Sequence, residues 1–86
     1  MLTISEDGLA ITKRFFFAIE VLTKQKKIRG LQTFTRAHGI NFGKMSDMRN
    51  HMETRALKPE YIAYLIKDFN ISPNWVLLGE GEMFNN

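Results

Sequence analysis

An 86-residue chain with 44% hydrophobic residues, no cysteine and a net charge of +3 has material for one domain around one core. The missing cysteines exclude disulfides and thiolate metal sites, which fits a reducing, cytoplasmic setting. The longest apolar run is Phe15 to Ile19 and the N-terminus carries Glu6 and Asp7, so neither a membrane span nor a signal peptide is expected.

Charge is distributed unevenly. Residues 13–58 hold eleven Lys/Arg against Glu20, Asp47 and Glu53, a net +8, while the segments before and after are acidic. Such a basic middle is expected to face a polyanion; the plainer alternative is a solvated, lysine-rich surface.

Residues 1–11 show no clean period and read as an extended N-terminal arm with Gly8 as a flexible point; residues 12–84 form the domain. Thr12 is the expected N-cap of a first helix reaching about Gln25. Its core stripe is Ile11, Phe15, Ala18, Ile19 and Leu22. Phe17 and Val21 lie together on the other side of that helix. They are either a dimer contact or, the preferred reading, are covered by the arm (Ile4, Leu9) or the tail (Met83, Phe84).

A second helix follows Gly30, from Leu31 to about His38, and Gly39 turns the chain. Asn41 caps a third helix to about Arg49, with Met45, Met48 and Met52 inward, and 50–58 reads as a loop. Pro59 opens a fourth helix, with Leu57 and Ile62 spaced as a hydrophobic staple. Ser72-Pro73 opens a short fifth helix that Gly79 closes, and Met83 and Phe84 need somewhere to pack. The expected fold is therefore all-α, with five helices.

The most informative segment is residues 31–50. A helix-turn-helix needs a small residue where the helices cross, a glycine at the turn and apolar locks. Thr35, Gly39, and Phe34, Ile40, Met45 and Met48 stand at those spacings. With Ile28 to Phe34, Gly39-Ile40-Asn41, Pro59 and the closing Trp75 to Phe84, this arrangement resembles the lambda-repressor-like helix-turn-helix family of Cro, phage repressors and xenobiotic-response-element regulators. The resemblance spans about residues 12–84.

The resemblance implies a DNA-binding transcriptional regulator whose third helix enters the major groove of double-stranded DNA. On a helical wheel Phe42, Gly43, Ser46, Arg49 and Asn50 point outward as base-reading candidates: Asn50 pairs with adenine, Arg49 with guanine or phosphate, and Phe42 lies against a thymine methyl. Lys26, Lys27, Arg29, Gln32, Lys44 and Arg55 are the phosphate candidates. The chain departs from the family at Phe42 and Gly43, where polar or basic side chains are usual, and at Asp47, whose carboxylate is repelled by DNA unless it pairs with an arginine or accepts from cytosine.

Other features read as structural. His38 is expected at the core edge with its nitrogens satisfied, His51 has no neighbours at metal spacing, and the methionines are core filler. No cofactor, no small-molecule substrate and no enzymatic site are expected, and a homodimer is a candidate assembly. The alternative function is a protein-interaction module that retains the fold. A basic amphipathic helix over 13–27 acting on membranes fits the downstream pattern poorly. The chain is expected to be either a complete short regulator or the front half of a longer one.

Overall fold

Ser5, not Thr12, starts the first helix. In the computed structural model, which describes residues 4–85, α1 runs Glu6–Lys24. The Ser5 hydroxyl accepts from the Gly8 amide at 3.1 Å. Glu6 and Asp7 stand in the first turn, where the helix dipole favours acids. Thr12 instead lies buried inside the helix and donates to the Gly8 carbonyl at 3.0 Å. The expected extended arm is thus helical from Glu6 onward, and its residues 1–3 lie outside the described residues. Gly8 is no hinge: a Cβ there would meet Ile4 Cγ2 at 2.7 Å, so it permits close packing of the chain just before the helix.

Four more helices follow: α2 Leu31–Ala37, α3 Phe42–Asn50, α4 Pro59–Phe69 and α5 Pro73–Leu78. Their starts arise from local chemistry. The Asn41 side chain accepts from the Lys44 amide at 2.9 Å, and Ser72 Oγ accepts from the Trp75 amide at 3.4 Å. Pro59 and Pro73 occupy first turns, where an N–H has no helical partner to lose. Among the described residues there is no strand, only an isolated antiparallel bridge between Ile71 and Phe84.

One core joins the helices. Phe15, Ala18 and Leu22 of α1, Phe34 of α2, Met45 of α3, Leu65 of α4, Ile71 before α5 and Val76 within it are each 1% exposed or less. Phe15 packs edge-on against both Phe16 and Phe34, with ring centroids 5.0 and 5.5 Å away. The radius of gyration, 12.4 Å, is close to the roughly 12 Å expected for a compact chain of this length, so no helix stands off from the rest. No helix among the described residues is long and apolar enough to cross a membrane.

The arm and the tail do not cover Phe17, contrary to the preferred sequence reading. The Ile4 amide donates to the Glu53 carbonyl at 2.9 Å, which takes the arm to the α3–α4 connection. The tail folds back on the start of α5, where the Ser72 amide reaches the Met83 carbonyl at 2.7 Å and Asn85 exchanges bonds with Asn70. Phe17 stays 53% exposed, with the Trp75 ring 6.3 Å away.

Candidate nucleic-acid interface

The turn between α2 and α3 sets the geometry of the basic face. Gly39 has φ +65°, a left-handed conformation that a Cβ disfavours, and the Ile40 amide bonds back to the Thr35 carbonyl at 2.9 Å. α2 and α3 pack directly on each other, with Thr35 2% and Met45 1% exposed. Thr35 fits because it is small and because its hydroxyl donates to the Gln32 carbonyl at 3.1 Å. With Met45 inward and Met48 partly buried, Gly43 and Asn50 lie on the outer, exposed side of α3 and Ser46 is half-buried beside them.

Phe42 and Arg49 sit elsewhere. Seven residues apart on α3, they line an open groove of about 670 Å³ with Met52, the start of α2 including Gln32, and the α1 residues Lys13, Phe17 and Lys24. A wheel centred on Met45 and Met48 puts both at the flank of α3, not at its crest. Gln32 is exposed at this groove and its side chain lies over Gly30, where a Cβ would meet Oε1 at 2.8 Å.

Lys26, Lys27 and Arg29 form a second grouping in the α1–α2 connection. With Arg36, Ile28, Thr33 and Ala37 they line a concavity of about 550 Å³. Buried Ile28 anchors the connection, and the Thr33 hydroxyl accepts from the Arg29 amide at 3.1 Å. Lys27 Nζ lies 5.0 Å from the centre of the Phe84 ring, a cation–π contact that draws the connection to the tail. Arg36 was not among the sequence candidates. Its spacing from Arg29, seven residues on, was the available signal.

Asp47 is held by two neighbours. Arg55 Nε donates to its Oδ2 at 2.8 Å, and His51 Nδ1 is 3.1 Å from Oδ1. The Arg55 hydrogen bond holds the Asp47 carboxyl below its ordinary 3.8; desolvation opposes it, and the charges of Arg55 and His51 add to the lowering. Arg55, a phosphate candidate, is therefore engaged within the protein. Lys44 is exposed, its amide fixed by Asn41.

His38 stacks on Tyr64 with centroids 4.0 Å apart, and its Nε2 lies 2.6 Å from Asp68 Oδ2. It ties α2 to α4 at the edge of the core, and among the described residues no cluster of His, Asp or Glu could hold a metal ion. Comparison of the chain with known protein families, with curated proteins and with solved structures finds no match in any of the three.

Proposed function

We propose that this chain is a DNA-binding transcriptional regulator of phage-repressor type, with α2 and α3 as a lambda-repressor-like helix-turn-helix and α3 entering the major groove. The observation that carries this reading is the bend at Gly39. It packs α3 on α2 over buried Thr35 and Met45 and leaves Gly43 and Asn50 facing out. Asn50 then reads a base edge, with Ser46 beside it, and Lys26, Lys27, Arg29, Arg36 and Lys44 hold phosphates. The pairing of Asp47 with Arg55 answers the difficulty of a carboxylate on this helix, since its charge is largely compensated before any DNA arrives. Phe42 and Arg49 contribute at the flank, against a methyl group or the backbone.

Selection of bound duplexes from a random pool tests the proposal. An enriched sequence that Asn50→Ala abolishes supports it; no enrichment, or enrichment indifferent to Asn50 and Ser46, overturns it.

A second reading, a protein-interaction module with this fold, is favoured by one observation. Phe42 is 45% exposed at the head of α3, where a base-reading helix usually carries polar groups.

A further inference from the structure

The end of α1 closes with a Schellman motif. The Lys26 amide donates to the Thr23 carbonyl and the Lys27 amide to the Leu22 carbonyl, each at 3.0 Å. That closure puts Lys26 in the left-handed helical region, at φ +61°. Among the described residues the other positions in that region are Gly39, Gly79, Gly81 and Asn70, the two residue types that tolerate it. Lys26 is the exception. Its Cβ is kept where glycine would be easier, and its side chain is exposed, so packing does not account for it.

What Lys26 supplies is one more charge around a hollow. With Lys27, Arg29 and Arg36 it lines the concavity of about 550 Å³, whose lining holds no carboxylate and no aromatic ring. All four cations are exposed, and none forms an ion pair among the described residues. The contact of Lys27 with the Phe84 ring leaves its charge uncompensated. The Thr33 hydroxyl, also in the lining, accepts from the Arg29 amide and keeps its own proton to donate. Four like charges around one hollow repel each other, a second cost to the free protein that a bound anion would relieve.

We infer that this hollow is a binding site for a compact polyphosphate, a run of three or more linked phosphate groups. A single phosphate carries at most about two charges near neutral pH and leaves the four cations half answered, whereas a chain of three carries enough for all. The guanidinium forks of Arg29 and Arg36 take phosphate oxygens in pairs, and the two lysines act as point charges on the rest. With no ring in the lining to stack a base, the site recognises the phosphate chain and not a nucleoside attached to it. The site itself does not depend on α3 reading DNA. Its regulatory consequence rests on that reading: the same four cations are assigned to DNA phosphates, so a bound polyphosphate displaces the duplex.

Isothermal titration calorimetry of the full chain without DNA, using sodium tripolyphosphate at fixed ionic strength, tests the site. One anion should bind per chain, at least about tenfold tighter than orthophosphate and within about threefold of adenosine triphosphate. Arg29→Gln and Arg36→Gln should each weaken binding about fivefold or more. Lys13→Gln, an equal loss of charge about 16 Å up α1 from Lys24, should change it less than about twofold. Lys26→Gly separates charge from fold: it should weaken the anion about threefold or more yet raise the melting temperature by a few degrees. In fluorescence anisotropy, saturating tripolyphosphate should release a bound duplex. Binding without one-to-one saturation, orthophosphate binding as tightly, much tighter binding of adenosine triphosphate, indifference to Arg29 and Arg36, or a lower melting temperature for Lys26→Gly would each overturn the inference. A duplex held equally well in saturating anion would overturn the sharing of the site. Tripolyphosphate bound by a chain that binds no duplex would remove the DNA reading and leave this site standing.

Discussion

Arg55 Nε donates to Asp47 Oδ2 at 2.8 Å, joining the outer part of α3 to the connection after it. Two of the charges nearest the proposed DNA face thereby occupy each other.

That pairing has a defined pH signature. The folded carboxyl of Asp47 titrates below its ordinary 3.8, so its contribution to stability is fully present above that value. It is lost as pH falls below 3.8 through the folded value. Thermal unfolding of wild type and Asp47→Asn should differ by a small constant amount at neutral pH, and the two should converge in this acidic window. The difference is small because both partners are about half exposed. A difference that persisted unchanged to the lowest pH would contradict the ion pair.

The same pair bears on DNA affinity. Arg55→Ala removes the main counter-charge of the Asp47 carboxylate and leaves only His51 beside it, so it should weaken duplex binding more than Lys44→Ala. Adding Asp47→Ala should recover part of the loss. Fluorescence anisotropy at fixed salt reads the comparison, and equal losses for Arg55→Ala and Lys44→Ala would place Asp47 away from the DNA.

Salt dependence counts the cations. Contacts from Lys26, Lys27, Arg29, Arg36 and Lys44 predict a log–log slope of roughly −4.5, with each single alanine substitution reducing it by about 0.9. Arg14→Ala should leave the slope unchanged, because its guanidinium is bonded to α5 carbonyls. A slope near zero would remove the polyanion as the partner of this surface.

Gly39 should be sensitive for a reason of backbone alone. A Cβ there meets nothing within 4 Å, yet φ is +65°. Gly39→Ala is therefore expected to cost about 1–2 kcal/mol from the left-handed conformation, and Gly39→Asn less, measured by urea unfolding. Met45→Ala, which opens a cavity under α3, should cost about 2–5 kcal/mol. If Gly39→Ala were neutral, the turn would not be held in this conformation.

The start of α1 separates two N-caps. Ser5→Ala should lower stability by about 0.5–1 kcal/mol through loss of the bond to Gly8, and Ser5→Asp, which keeps an oxygen acceptor at the cap, should not. Thermal unfolding of the three proteins makes the comparison. If Ser5→Ala had no effect, the first turn would be frayed in solution.

The order and starts of α2 to α5 were legible in the chain itself. Asn41, Pro59 and Ser72-Pro73 act within one helical turn of themselves, so their capping chemistry needs no distant partner. Thr35, Gly39 and Met45 likewise stand at spacings that one turn between two short helices can satisfy. The start of α1 was misread because Ser5 and Thr12 both precede helical sequence; the acids Glu6 and Asp7 after Ser5 were the available signal, and the structure adds the Ser5 cap on Gly8 and the burial of Thr12. Tertiary structure alone decided which cations are free: Arg14 bonds residues more than sixty positions away, and Arg55 answers Asp47 across a turn. It also placed Phe42 and Arg49 across a groove from α1 and left Phe17 uncovered. Short-range hydrogen bonds are written into neighbouring residues, whereas the partner of a long charged or aromatic side chain depends on which helix the fold brings beside it.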